Sequence, residues 1–394
     1  MDFSFNEEQT LIQRQVAQFI QRDYEWEKRQ ALAKSELGFN SENWKIFADL
    51  GWLGISLSEE SGGFGGSALE TMIIMEEFGK GLVVEPFLET IVLCAGLIDS
   101  CGNKDQKSEI LKKVISGEMH LALGFVEPQS RFNLADVTTE AKKKGDGFVL
   151  NGFKSVVMNG PSADNIIISA RISGKQSEEE GISLFVVDPK LEGVSLRNYP
   201  TVDGRRASEI TLENVDVTSS CLLAEEGKGF KELEKAIDSA TLAICAEAIG
   251  AMEVLYKTTV EYTKIRKQFG RPISKFQAVQ HNLAVLAGEA AAAGAAADGA
   301  MKAIALHGLD DTRTFMAVAS AKIRAGEAAG TGAAIAHQVH GAIGFTREYS
   351  LHQRTRRLWT WRDDFHPERV WADRLGRAVC AEGADRLWPS LTAL

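Results

Sequence analysis

Over the first 120 residues apolar side chains return every three or four positions. In EEQTLIQRQVAQFIQRDY, Leu11, Ile12, Val16, Phe19 and Ile20 share one helical face. NSENWKIFADLGWLGI and SALETMIIMEEFGKG carry the same period. The latter opens after Ser67, a possible N-cap with Glu70 three residues on, and is expected to stop at Gly79 and Gly81. Near residue 121 the period changes. LALGFVE, GFVLNGFKSVVM, ADNIIISAR, ISLFVVD, GVSLRNYP and ASEITLENVDV are short, rich in β-branched residues and separated by Gly, Asn, Asp and Pro, the pattern of an antiparallel barrel or sandwich. KKKGDG (142–147) reads as a solvated turn. From about residue 228 helices return, including the Ala-rich LAVLAGEAAAAGAAADGAMKAIAL, a sequence suited to close helix–helix packing. The chain is therefore expected to be α+β and mostly α, with helical residues 1–120, a middle β domain over 121–230 and a helical domain over 231–394.

Composition narrows the function. The 394 residues allow two or three domains. A net charge of −10 argues against nucleic acid as a partner. No charge-poor apolar run is expected to span a bilayer, and the polar, acidic MDFSFNEEQTLIQRQ does not resemble a secretory signal. The cytoplasm is the default location. The five cysteines are scattered singly, which suggests a reducing compartment and no disulfide framework. The seven histidines make no HExxH or similar cluster, so no metal site is expected.

Five motifs in order carry more. GWLGISLSEESGGFGGSALE (51–70), SGEMHLALGFVEP (116–128), ENVDVTSSCLLAEEGKGF (213–230), RKQFGRPISKFQAVQ (266–280) and HQVHGAIGFTREYSLHQRTRR (337–357) resemble successive motifs of the FAD-dependent acyl-CoA dehydrogenases, over about residues 5–365. The resemblance implies an N-terminal helical bundle, a middle antiparallel β domain and a C-terminal four-helix bundle. It also implies FAD at a dimer interface and α,β-desaturation of an acyl-CoA thioester. In that family a carboxylate takes the Cα proton as flavin N5 takes a hydride from Cβ. Such a base must be placed within reach and tuned by its surroundings, and the cofactor carries the hydride chemistry.

By the same resemblance Arg266 is the pyrophosphate partner, a role suited to a guanidinium fork. Gln268 and Phe269 line the cofactor, Gln277 reaches the adenosine, and Gln338 and Gly341 approach it closely. The sheet departs where the ring would lie. The family's TEP becomes Val126-Glu127-Pro128, and its W-I-T-N becomes Val156-Val157-Met158-Asn159. Val126 and Met158 thus replace hydroxyls, leaving backbone N–H donors and apolar cover. On the substrate side Asp238 survives from F-D-R-R while the arginines do not.

The family's usual base lies in the segment RRLWTWRDDFHPERVW (356–371). Counted without gaps its position is Phe365. A one-residue gap puts Asp364 there, with Phe365-His366 standing for the family's Gly-Thr. The alternative position on the first helix after the sheet is Ala240, with Glu247 seven residues on. Asp364 is the expected base, with apolar walls and Asp363 expected to raise its pKa. The competing expectation pairs both acids with Arg356, Arg357 or Arg362 on a helix surface.

Three readings follow from the resemblance. One is a self-sufficient homotetrameric dehydrogenase that passes electrons to an electron-transfer flavoprotein or similar acceptor. Another is a subunit of a heterotetramer, like small subunits of the pimeloyl-CoA kind, lending Arg266, Gln277 and Gln338 to a flavin on a homologous partner. The third is a catalytically silent acyl-CoA-binding scaffold. An acyl-CoA oxidase would be a variant of the first.

Overall fold

The computed structural model describes residues 5–392. In chain order these form α1 (Glu7–Asp23), α2 (Trp26–Lys34), α3 (Ser41–Asp49) and α4 (Ala68–Gly81). π-Helical turns over Leu88–Ala95 run into α5 (Gly96–Cys101). α6 (Lys104–Gln106), a π turn over Lys107–Leu111 and α7 (Lys112–Ile115) follow. The strands are β1 (Leu121–Gly124), β2 (Glu140–Lys144), β3 (Gly147–Met158), β4 (Asn165–Arg171), β5 (Ile182–Val187), β6 (Val194–Pro200), β7 (Arg206–Thr218) and β8 (Leu222–Leu223). The last part holds α8 (Gly229–Ile265), the short β9 (Lys267–Gln268) and β10 (Arg271–Pro272), α9 (Gln277–His307), α10 (Thr312–His340), α11 (Leu351–Asp363), α12 (Glu368–Glu382) and α13 (Ala384–Thr392).

Two compact units arise, and neither is continuous in sequence. One gathers residues up to 30, 68–83 and 241 onward; the other holds 31–67 and 84–240.

In the helical unit the sequence sets helix starts by side-chain capping. Asn6 and Gln9 form a reciprocal capping box ahead of α1, and Asp311 accepts the Arg313 N–H at the start of α10. Gly79 does not stop α4 as its composition suggested. It lies inside the helix, where an added Cβ would sit 1.8 Å from the Glu247 carbonyl oxygen. Gly250 of α8 meets the Glu76 carbonyl oxygen at 1.9 Å in the same sense, so two glycines let the backbones of α4 and α8 touch. Gly332 of α10 similarly receives Leu286 of α9. α8, α9, α10 and α11 make the C-terminal bundle, with α12 and α13 added to it. On α1, Val16 and Phe19 are buried as the period requires, whereas Leu11 is 56% exposed. The expectation that no apolar run could span a bilayer is corrected: α8 and α9 are both long and apolar enough by length and composition. The hydropathy of α9 comes largely from alanine, that of α8 largely from Ile, Leu and Val. The most apolar window of α8 is 72% buried within the fold and that of α9 22%.

The other unit is built on an eight-stranded sheet ordered β6-β7-β3-β2-β4-β5-β8, with β1 beside β4. It is mainly antiparallel, as its strand pattern predicted, but β1 runs parallel to β4, and β2 meets β4 in parallel at Glu140 and Arg171. KKKGDG is not all turn: Lys142–Lys144 belong to β2, which pairs with β3 around Gly145 and Asp146. β2 offers the core only Ala141 and exposes the rest, so it has too little apolar alternation to be recognised. The core inside the sheet includes Phe148 edge-on to Phe185, with Leu150, Ile166, Ile168 and Ile210. The helix expected over NSENWKIFADLGWLGI ends at Asp49, because Gly51 turns left-handed (φ 77°) before a single 3-10 turn at Trp52–Gly54.

Candidate active site

In the sheet unit β1 leads into Phe125-Val126-Glu127, alongside β3. The Ser155 N–H donates to the Val126 carbonyl at 2.9 Å, so Val126 and the 155–158 segment lie together. Between Lys154 and Val157 β3 slips register against β7, and in that bulge Val156 takes φ 52° with half its surface exposed. A left-handed β-branched residue is an outlier that its surroundings must hold in place. Val126 and Met158 are both half-buried. Among the described residues the Val126 N–H has no acceptor, which leaves a donor open beside apolar cover.

Beneath this strip is a charge pair with no counterpart in the sequence-level expectations. Lys154 and Glu127 are 0% and 1% exposed, and Lys154 Nζ donates to Glu127 Oε1 at 2.6 Å and to Ser169 Oγ at 3.0 Å. Glu127 also accepts from the N–H groups of Thr138 (2.8 Å) and Thr139 (3.1 Å). Burial opposes its charge, but Lys154 and these hydrogen bonds prevail and hold its carboxyl at about 2. Asp238 lies on the first third of α8, in the same compact unit as the sheet, and is partly buried.

The helical unit brings together the residues expected at the pyrophosphate and adenosine. Arg266 directly follows α8, and β9 and β10 form a hairpin whose tip is Phe269-Gly270. Phe269 is 91% exposed in a left-handed conformation (φ 50°). Among the described residues the Arg266 guanidinium has no ion-pair or hydrogen-bond partner. Gln268 is exposed on β9, and Gln277, also exposed, is the first residue of α9. Gln338 is exposed in the last turn of α10, and Gly341 ends that helix. Gly341 needs its left-handed φ of 65°; nothing within this chain lies near an added Cβ. Tyr262, one turn before Arg266, stacks on His340 at 4.3 Å and donates to the His340 carbonyl, so the ends of α8 and α10 meet. A free guanidinium, an exposed aromatic tip and a glycine-opened helix end together suit an aromatic, phosphate-bearing ligand.

Asp364 is the residue immediately after α11. It is half-buried, while Asp363 is exposed. The tryptophans of this segment are not equally placed. Trp361 and Trp371 are core residues, 2% and 0% exposed, and Trp359 is 41% exposed, stacked on His337. The arginines named as alternative partners are engaged elsewhere. Arg356 donates to His352, Arg357 to both oxygens of Glu247 (3.2 and 3.1 Å), and Arg362 to Glu368 at 2.6 Å. Arg357 also lies 4.6 Å over the Trp361 ring. Glu247 is thus a buried ion-pair member, and Ala240 carries no acid.

After Asp364 the chain turns through Phe365 (φ 52°) and His366 (φ 79°), two left-handed residues without a glycine. Trp371 Nε1 donates to the Phe365 carbonyl at 2.8 Å. His366 is buried, and desolvation, helped by the charges of Arg374 and Lys322, pushes its imidazole down to about 4. In the unfolded chain that ring titrates near 6.5. The unfolded state therefore binds more protons between those values, and stability falls as pH drops through that window. Urea denaturation at pH 7 and pH 5 is expected to show a loss of about 2 kcal/mol at the lower pH. That part of the loss is expected to vanish in His366→Gln.

Family models for the acyl-CoA dehydrogenase N-terminal, middle and C-terminal domains match residues 6–118, 122–215 and 227–361. Fold and matched domains define an oxidoreductase acting on CH–CH groups, with FAD as cofactor. The chain belongs to the acyl-CoA dehydrogenase family. It is 31% identical to a probable acyl-CoA dehydrogenase of Bacillus subtilis, over 90% of this chain and 93% of that one. It is 32% identical to the NADH-dependent acryloyl-CoA reductase of Anaerotignum propionicum, over 89% of each. The butyryl-CoA dehydrogenase structure from Megasphaera elsdenii superposes with a TM-score of 0.84 at 26% identity, covering 96% of this chain and 99% of that one.

Proposed function

We propose that this chain is an FAD-dependent acyl-CoA dehydrogenase in which Asp364 removes the Cα proton of the thioester. The observation that carries the reading is the place of Asp364: a half-buried carboxylate immediately after α11, at the position that a one-residue gap assigns to the family's base. The left-handed Phe365 supports it further. Glycine is the residue suited to that conformation, and the family's Gly falls there once the one-residue gap is allowed.

Bound FAD supplies the acceptor for the Cβ hydride. The chain's own residues do the rest. Arg266 would fork the phosphate oxygens, Gln268 and Phe269 would line the dinucleotide, Gln277 would reach its adenosine, and Gln338 and Gly341 would approach it closely. The Val126 N–H would donate to the ring edge while Met158 would cover it. Asp238 lies on the substrate side. Asp364 accepts the Cα proton, so the C–H electrons become the new double bond as hydride departs from Cβ. An electron-transfer flavoprotein or similar carrier as acceptor, and a homotetramer or a heterotetramer with a homologous subunit, belong to the same proposal.

Two replaced hydroxyls, at Val126 and Met158, give the subunit reading its specific support. The deciding measurement is the FAD-to-chain ratio of purified protein, alone and co-expressed with a homologous chain. One FAD per chain alone, bleached anaerobically by an acyl-CoA, is expected. A colourless protein that turns yellow only with the second chain would favour a lending subunit, and FAD that no acyl-CoA bleaches would refute dehydrogenation. Arg266→Ala is expected to weaken FAD retention about 10- to 100-fold, the loss of charge-assisted hydrogen bonds to phosphate.

A further inference from the structure

Lys322 stands on the buried face of α10, among Val318, Ala321 and Ala325, and is 1% exposed. Its ammonium has no carboxylate within ion-pairing distance among the described residues. It donates instead to the carbonyl oxygens of Trp361 and, at 3.1 Å, Arg362, in the last turn of α11. Burial pushes its pKa down, so the charge is held there at a cost. Capping a helix C-terminus does not require such burial, since a surface lysine can reach terminal carbonyls with far less desolvation. What the location does achieve is specific. The two carbonyls belong to the residues two and three positions before Asp364, and Asp364, Asp363 and Glu368 are the carboxylates whose fields reach this ammonium.

The turn that follows is held from other sides as well. Trp371 Nε1 holds the Phe365 carbonyl, and Arg362 holds Glu368. Glu368 packs onto Gly326 of α10, where an added Cβ would meet its Cγ at 2.5 Å. Two consecutive left-handed non-glycine residues persist only where the surroundings over-determine them, and such strain gathers at working sites.

We propose that Lys322 is the positioning residue for the proton acceptor: by gathering the Trp361 and Arg362 carbonyls it fixes the end of α11 from which Asp364 projects. The inference rests on Asp364 being that acceptor. Lys322 touches neither substrate nor cofactor in this scheme; it acts through the backbone and through its charge on the carboxylate.

The test compares Lys322→Met, Lys322→Gln and Asp364→Asn holoenzymes with wild type. The probe is whichever straight-chain acyl-CoA, from butyryl to palmitoyl, bleaches the wild-type flavin fastest under anaerobic conditions. Three quantities are read: the bleaching rate at saturation, the dissociation constant of the acyl-CoA, and FAD per chain. Displacing a reacting group by about 1 Å costs roughly 100-fold in rate. Lys322→Met is therefore expected to bleach about 100-fold more slowly, with acyl-CoA affinity and FAD content within about threefold of wild type. Lys322→Gln, which can still donate to one carbonyl but carries no charge, is expected to fall between the two. A bleaching rate near wild type in Lys322→Met, with Asp364→Asn silent, would overturn the inference and leave Asp364 as acceptor. If Lys322→Met does not fold, Lys322→Gln decides by the same criterion. Wild-type bleaching in Asp364→Asn would remove the acceptor itself, and the role of Lys322 with it.

Discussion

Asp364→Asn is expected to lower the anaerobic flavin-bleaching rate by about 10²–10⁴-fold, the usual contribution of a positioned general base, while FAD content stays at its wild-type level. The amide keeps the size and part of the hydrogen bonding of the acid, so the turn through Phe365 and His366 should survive. What it lacks is a lone pair basic enough to hold the Cα proton. Stopped-flow absorbance with the fastest acyl-CoA is the direct measurement, and circular dichroism checks the fold. Asp363→Asn serves as the neighbour control. Its side chain is exposed, and its loss should change the rate by no more than a few-fold.

The largest stability effect is expected at Glu127→Ala. Removing one member of a buried ion pair leaves the other charge without compensation, which costs about 3–5 kcal/mol. Here it also strands the N–H groups of Thr138 and Thr139, both of which donate to the lost carboxylate. Urea denaturation at pH 7 should show the loss as a lower midpoint. The acid limb should report the same carboxylate. Its folded pKa is depressed to about 2 from the ordinary 4.5, so its contribution is present above that ordinary value and disappears as pH falls through the folded one. Wild type should therefore lose about 3 kcal/mol over that interval from this group, and Glu127→Ala should lack that part of the slope.

Much of the fold could be read from hydrophobic period alone. The change at residue 121 and the return of helices at 228 appear directly in the spacing of apolar residues, because β3, β4, β5 and β7 bury apolar side chains in runs or alternation that a helix would not tolerate. β2 escaped because a strand that offers the core one alanine has no period to detect. Gly79 was misread because a glycine that ends a helix and a glycine that admits a neighbouring backbone look alike until the neighbour is known.

The site was legible unevenly. Arg266, Phe269, Gln277 and Gly341 lie in motifs whose spacing survives intact, and the structure gathers the hairpin and helix ends that carry them. Placing the proposed base at Asp364 takes a one-residue gap, and the bend that follows is held by Phe365 and His366 without a glycine. The roles of Lys154 and Lys322 were not drawn from the sequence. Their signal was a lone lysine within short apolar or small-residue stretches, GFKSVVM and AVASAKI, where a solvated cation has no place.

The interleaving of the two units in the chain has a consequence for how the protein is made. α1 and α4 are synthesised early and pack on each other, yet the rest of their unit begins at residue 241. At translation rates of about 5–20 residues per second, the intervening segment takes on the order of ten seconds to emerge. During that interval the early helices, whose Val16, Phe19, Ile73 and Ile74 are interior in the finished molecule, lack the later helices of their unit. The nascent chain therefore carries these apolar faces only partly covered until the later helices of the unit emerge.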